Sequence, residues 1–245
     1  MQKCTFKDLG KMDYGLAWAY QEDLLQENVR IKSALRERAE GLRETRVAAG
    51  DSEPELTTRH HLLFVEHPPV YTLGKSGKAE NVLIDEETMK GEGLGFYRTN
   101  RGGDITFHGP GQIVGYPVLD LEKFYTDIGR YLRELEEVVI SVLAEYGIRG
   151  ERSPGETGVW IDASVKGKER KICAIGIRCS RWITMHGFAL NVNTDLGYFG
   201  NIVPCGIQDK QVSSLEKELG RPVDVEEVKE RLKRQFERVF GMELI

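Results

Sequence analysis

A chain of 245 residues is long enough to bury a substantial core, and one large domain is expected rather than two small ones. Hydrophobic residues at 40% and charged residues at 30% are ordinary for a globular protein and exclude a mainly disordered chain, while 34 basic against 39 acidic residues leave a net charge of −5, which argues against a general nucleic-acid binder. The opening "MQKCTFKDLGKMDYG" lacks the apolar core of a signal peptide and no later run approaches the roughly 18 apolar residues that span a bilayer, so the expectation is a cytoplasmic protein with neither a membrane nor a nucleic-acid partner.

Asp13 is placed to cap a helix through "YGLAWAYQEDLLQENV", where Leu16, Tyr20 and Leu24 recur every four residues; "RIKSALRERAEGLRETR" prolongs it or adds a polar extension. "VAAGDSEPELTTRH" carries Gly, Ser and Pro without periodicity and reads as a loop. In "HLLFVEHPPVYTLG" two β-rich runs flank a Pro-Pro break, which predicts two short strands or a strand and a tight corner. After "YPVLDLEKFYTD", Ile128, Leu132, Leu135, Val139, Val142 and Tyr146 share one helical face. Strands follow at "GVWIDA", "KICAIGIR" and "WITMHGFALNV", the first two joined by a polar hairpin tip, "SVKGKER". A last helix opens near Asp224, with Val225, Val228, Leu232, Phe236 and Val239 on one side. There is no regular βαβ alternation and no internal repeat, so the fold class is α+β, a mixed β-sheet flanked by helices.

The segment "RTNRGGDITFHGPGQIVGYPVLDL" is the densest in the chain. Gly102, Gly103, Gly109 and Gly111 allow a ligand or another backbone to come close, and Arg101 and His108 stand at either end of a short β-like run. It matches neither GxGxxG nor GxxxxGK[ST], and a glycine-rich structural corner with a hydrogen-bonded histidine accounts for it equally well on spacing alone. Lys171 opens the apolar run "KICAIGIR", as a strand-edge charge or as an inward lysine altered by burial. Period two puts Lys171, Cys173 and Ile175 on one face and Ile172, Ala174 and Gly176 on the other.

Cys4, Cys173, Cys179 and Cys205 show no CxxC spacing and no close pairing with histidines, so neither a zinc site nor a disulfide framework is expected, and no metal is assigned. Cys173 and Cys179 sit among Ile and Ala as small packing residues. Cys205, between Pro204 and Gly206 in "NIVPCGI", belongs on a turn, where a thiol can be reached. From Arg149 to Arg181 there are eight basic against four acidic residues, which offers an acidic partner a docking place or marks a solvated hairpin tip.

"EHPPVYTLG", "RGGDITFHGPGQ", "KICAIGIR", "MHGFALNV" and "NIVPCGI", in this order over about residues 60–215, together resemble the lipoyl(octanoyl) transferases. The resemblance implies a fold of the biotin/lipoate protein ligase kind, related to class II aminoacyl-tRNA synthetases, over a single catalytic domain spanning 1–245. It implies transfer of an octanoyl group from octanoyl-acyl carrier protein to a lysine of lipoyl domains, those of 2-oxoacid dehydrogenase E2 subunits and of the glycine cleavage H protein, with no cofactor. The family's nucleophile falls on Cys205 and its partner lysine on Lys171. Its substrate-binding segments fall on Arg101, Gly102, Gly103, Asp104, Ile105, Thr106, Phe107 and His108, on Ala174, Ile175 and Gly176, and on Gly187, Phe188 and Ala189. The polar stretch at about 28–58 is longer than the family's usual spacing and reads as a helical or loop insertion; Ser213 stands where Thr is expected.

The chemistry suits those residues. A free thiol has a pKa near 8.5, and a lysine ammonium beside it raises the thiolate fraction; a lysine in an apolar setting can later serve as a neutral base for the acceptor amine. The rivals are an ATP-dependent lipoate or biotin protein ligase, which forms an acyl-adenylate with Mg²⁺, and a non-catalytic lipoyl-domain binding module. Cys205 in its Pro-Cys-Gly turn and "HGPGQ" count against the first, and the presence of both Cys205 and Lys171 against the second.

Overall fold

Asp13 starts the first helix by accepting hydrogen bonds on Oδ1 from the N–H groups of Gly15 (2.8 Å) and Leu16 (3.2 Å). In the computed structural model, which describes residues 1–44, 56–203 and 211–245 and only the backbone of 41–44, that helix runs unbroken as α1 (Tyr14–Glu44). The strands are β1 (Gln2–Lys11), β2 (His60–Glu66), β3 (Val70–Leu73), β4 (Gly95–Arg98), β5 (Ile105–His108), β6 (Gln112–Val118), β7 (Val159–Ile161), β8 (Arg170–Ser180), β9 (Ile183–Asn191), β10 (Gln211–Val212) and β11 (Met242–Leu244). The further helices are α2 (Glu86–Gly91), α3 (Ile128–Glu145), α4 (Leu215–Leu219) and α5 (Val225–Phe240).

Eight strands form one mixed sheet in the order β10-β8-β9-β6-β2-β1-β11, with β7 also paired to β8; β4-β3-β5 make a second, small sheet. The two runs flanking the Pro-Pro break are therefore strands of different sheets. In "HLLFVE" the apolar run is continuous because both faces of the large sheet are covered: Leu62 and Phe64 point toward α3 and α5, Leu63 and Val65 toward α1. On α3, Leu135, Val139 and Val142 are fully buried, and on α5 so are Val228, Leu232 and Phe236, as their periodicity predicts. Asp127 and Asp224 cap these two helices through the N–H groups of Arg130 and Glu226. Tyr71, Leu73, Ile105 and Phe107 build a separate apolar cluster under the small sheet. The α+β reading is what the structure shows.

One strand has no counterpart in the sequence reading, and one reading is refined. β1 carries too mixed a pattern for a sequence assignment, yet it is an inner strand, parallel to both β2 and β11. The polar stretch at 28–58, read as a helical or loop insertion, is helical as far as Glu44 and is anchored by buried polar contacts; its residues 45–55 lie outside the described residues. Asn28 is buried and exchanges two hydrogen bonds with the backbone of Arg59, both at 2.8 Å. Lys32, 6% exposed, reaches Asp120 (2.9 Å), Glu122 (2.8 Å) and the carbonyl of Arg181 (2.9 Å), while the hydroxyl of Thr58 donates to the other Asp120 oxygen at 2.9 Å. A helical pattern read as charged therefore buries a few polar groups on a receptor made elsewhere in the chain.

Candidate active site

A cavity of about 560 Å³ opens between the small sheet and the β8–β9 end of the large one, a size ordinary for a small-molecule site. Arg101 to Thr106 and His108 line it, with Ala174, Ile175 and Gly176 of β8, Gly187, Phe188 and Ala189 of β9, and Lys171. Glycine is required by close packing at two of these positions. A Cβ on Gly176 would lie 2.7 Å from the carbonyl oxygen of Gly102, and one on Gly187 would lie 2.2 Å from that of Gly115. Phe107 departs from its expected role: strand alternation turns it away from the cavity, to stack on Tyr198 at 4.6 Å between ring centres.

Polar groups at one end of the cavity fix one another. The Arg101 guanidinium donates to the carbonyl (2.6 Å) and hydroxyl (2.9 Å) of Thr72 and to the carbonyl of Gly102 (3.0 Å). His108 donates from Nδ1 to Gln112 Oε1 (2.8 Å) and meets the Thr72 hydroxyl through Nε2 (3.3 Å). Gln112 in turn donates to Asn191 Oδ1 (2.8 Å), Asn191 donates to the carbonyl of Ser213 (3.0 Å), and the N–H of Ser213 donates to the carbonyl of Lys171 (2.9 Å). Burial holds His108 well below the usual imidazole range, with His67 and Arg101 adding to the effect. Burial also pushes His186 down to about 3, with Arg101 and Arg178 contributing, and lowers His67. These rings are neutral at pH 7, so the cavity wall carries the Arg101 charge without an imidazolium beside it. His108 is thus both a satisfied buried histidine and a cavity residue.

Lys171 sits on the cavity wall because of an irregularity that strict alternation missed. The pairing of β7 with β8 shifts between Val159↔Cys173 and Trp160↔Lys171, so β8 carries one extra residue there. Ile172 and Cys173 both enter the core on the α3 side, while Lys171 parts from Cys173 and lines the cavity with Ala174 and Gly176. Its Nζ lies 4.6 Å from the centre of the Trp160 ring.

Among the described residues the thiols are Cys4, Cys173 and Cys179, and none suits a nucleophile: burial pushes Cys4 up to about 12, raises Cys173 further, and raises Cys179. Cys205 lies outside the described residues, as do all of 204–210. The described chain on either side is anchored at the cavity. The N–H of Val203 donates to the carbonyl of Asn81 (2.9 Å), whose side chain donates to Asp104 Oδ2 (2.5 Å), and Val212 pairs with Lys171 across β10 and β8.

The basic stretch 149–181 is less free than its sequence implies. Arg152 pairs with Glu136 and Glu137, Arg170 with Asp162 and Glu218, Arg178 with Glu22 and Arg149 with Glu151. Lys166 and Lys168 remain exposed in the hairpin tip, with no ion pair among the described residues. Tyr14, Thr72, Gln112, Tyr116, Trp160, His186 and Asn191 also build or brace the cavity without having been singled out. Gln112 and His186 lie inside quoted motifs, whereas Tyr14 arrives from α1, about 90 residues away in sequence, with no local sign of it. Among the described residues no group of three His, Cys, Asp or Glu side chains converges as a metal site, and no helix is long and apolar enough to cross a membrane.

Comparison with known proteins bears on the same segments. Residues 13–237 match the family model described as lipoyl protein ligase A/B catalytic domain. An octanoyltransferase of Christiangramia forsetii is 56% identical over 239 residues, covering 97% of this chain and 96% of its own. One of Flavobacterium johnsoniae is 54% identical over 245 residues, covering 100% and 99%. Among solved structures, the bipartite lipoate protein ligase of Thermoplasma acidophilum superposes with a TM-score of 0.65 at 19% identity, covering 100% of this chain and 86% of that one, which shows the shared fold. The chain belongs to the lipoyl protein ligase A/B catalytic domain family, in which its near-full-length relatives are octanoyltransferases.

Proposed function

We propose that the chain, acting over residues 1–245 as one cytoplasmic catalytic domain, transfers an octanoyl group from the thiol of an acyl carrier protein to a lysine of lipoyl domains. The acceptors are those of 2-oxoacid dehydrogenase E2 subunits and the glycine cleavage H protein. The observation that carries this reading is the convergence of Lys171 and three separated segments, Arg101–His108 without Phe107, Ala174–Gly176 and Gly187–Ala189, on one cavity. Burying an eight-carbon chain there at ~0.8 kcal/mol per CH₂ is worth about 5 kcal/mol.

In the first half-reaction the Cys205 thiolate attacks the thioester carbonyl carbon. The carbon–sulfur bond to the carrier breaks, and the departing thiolate takes a proton from the Lys171 ammonium. In the second, the acceptor amine attacks acyl-Cys205 and gives its proton to the now neutral Lys171, and the Cys205 thiolate leaves. The raised pKa values of the three described thiols support Cys205 as the nucleophile, and the pairing of β10 with β8 supports a Lys171 partnership, because it ties the end of segment 204–210 to the lysine's own strand.

Incubation with octanoyl-carrier protein, without ATP or Mg²⁺, should add a hydroxylamine-labile octanoyl mass to the peptide containing Cys205. Full transferase activity in Cys205→Ser, or an absolute need for ATP, would sink the covalent mechanism.

A further inference from the structure

The two faces of β7 meet different surroundings. Val159 and Ile161 enter the core beneath α3, and strand alternation turns Trp160 the opposite way. The Trp160 backbone is fixed on both edges. It pairs with Lys171 of β8, and on its other side it exchanges two hydrogen bonds with Glu151, donating its N–H at 2.9 Å and accepting on its carbonyl at 2.7 Å. Directly opposed residues of an antiparallel pair share a face, and the Lys171 Nζ accordingly lies over the indole, 4.6 Å from its centre. Trp160 is 3% exposed and does not line the cavity, whereas Lys171 does. Any effect of the indole on a reaction there passes through the lysine.

Gly158 sets the stem of the same side chain. Its φ of 121° suits glycine alone, and a Cβ on it would lie 3.4 Å from Lys171 Cε and 2.6 Å from the carbonyl oxygen of Cys173. Its N–H donates to Glu136 Oε1 (3.0 Å), and Glu136, fully buried on α3, pairs with Arg133 (2.9 Å) and Arg152 (3.0 Å). Lys171 therefore has its stem against a glycine backbone braced by α3 and its ammonium against an aromatic face.

An indole face suits a group that must change charge. It attracts a cation through the ring's quadrupole, offers little to a neutral amine, and, unlike a carboxylate, cannot take the proton for itself. In the transfer set out above, charge forms on Lys171 in the second half-reaction. The lone pair of the acceptor nitrogen makes the bond to the acyl carbon, the nitrogen's proton passes to the neutral Nζ, and the carbon–sulfur bond breaks to leave a thiolate. A contact made with the ammonium but not with the amine strengthens as that proton arrives, so it lowers the barrier to discharge. In the first half-reaction the proton leaves Nζ and the same contact is given up.

We propose that Trp160 is a positioning residue for discharge of the acyl-enzyme, holding Lys171 at the cavity wall and stabilising the charge that forms on it when the acceptor amine gives up its proton. The inference rests on the transferase reading above and adds to it a residue outside the cavity.

Fluorinated indoles installed at Trp160 alone test it, because each fluorine drains the ring's negative face while nearly keeping its shape. In single turnovers with octanoyl-carrier protein and then a lipoyl domain, discharge should slow with each fluorine, roughly tenfold for the tetrafluoro ring, while release of the carrier thiol holds within about twofold. Trp160→Leu should show the same split between the two steps, and Trp160→Phe should recover most of the discharge rate. A reading that needs no substrate is acetylation of Lys171 by acetic anhydride, followed by peptide mass. It should quicken along the fluorine series, because only the neutral amine reacts.

Equal slowing of both half-reactions, or a discharge rate indifferent to fluorine, would overturn the proposal. If the unmodified enzyme transfers no octanoyl group, it is the transferase reading that has failed, whereas acetylation without a trend sinks the Trp160 contact whichever way that reading goes.

Discussion

Single residues set the cavity's shape through what they lack. At Gly187 an added methyl would stand 2.2 Å from a backbone oxygen in a paired strand, which cannot step aside as a flexible side chain would. Gly187→Ala should therefore cost about 1–3 kcal/mol of unfolding free energy and close part of the cavity. Gly200→Ala, where nothing lies within 4 Å, should stay within about 0.5 kcal/mol, and urea titration of both compares them directly. Buried neutral histidines give a second residue-scale expectation. His60 is held down at about 4 and His186 at about 3, in both cases chiefly by burial. The unfolded chain takes up protons near pH 6.5 that the folded chain refuses, so stability rises with pH below that point and levels off above it. Acidification from pH 6.5 to 5 should lower unfolding free energy by about 1.6 kcal/mol in all for each ring, the slope steepening toward about 1.4 kcal/mol per pH unit, in a range above the ordinary carboxylate pKa values. His186→Gln should remove about one proton from that slope, which denaturant midpoints measured across the interval would reveal; an unchanged slope would mean that the ring is protonated in the fold.

At the scale of elements, the far half of α1 is held by polar rather than apolar contacts. Lys32, Thr58 and the N–H of Glu122 converge on Asp120, which is 1% exposed. Removing the lysine leaves a buried carboxylate short of its cation, and Lys32→Met should destabilise by about 3–5 kcal/mol even though methionine fits the volume. A chemical-denaturation midpoint that moves by less than a quarter of that would show the ammonium to be dispensable. The extra residue in β8 matters in a different way. Without it, strict alternation would send Lys171 into the core with Cys173, so the lysine's place on the cavity wall depends on a local break in the regular sheet.

For the whole molecule, half of the eight basic residues between 149 and 181 are ion-paired within the chain, while Lys166 and Lys168 stay exposed, and on the proposed function they are the place for an acidic carrier protein. Reversing both to Glu should lower turnover with carrier-bound donor severalfold at low salt and flatten its salt dependence, while turnover of octanoyl-S-pantetheine stays the same. An unaltered salt slope for the carrier-bound donor would remove this surface from consideration. The periodic helices, α3 and α5, and the strand runs around "KICAIGIR" and "MHGFALNV" were legible because one-dimensional hydrophobic period reports burial whenever one face packs on a core. The motif segments that gather at the cavity were legible for the related reason that glycines and polar residues within an apolar run are costly without a local purpose. Periodicity failed where the purpose was distant. β1 is polar in pattern but lies between two parallel strands, Phe107 belongs to the small sheet's own core, and Asn28 and Lys32 find partners dozens of residues away. The sequence alone determined the α+β class, the main elements and the motif segments that meet at the cavity, since these rest on local pattern and residue type. Tertiary structure alone decided which face Lys171 takes and which arginines are already paired, because each depends on what the chain brings alongside from far away.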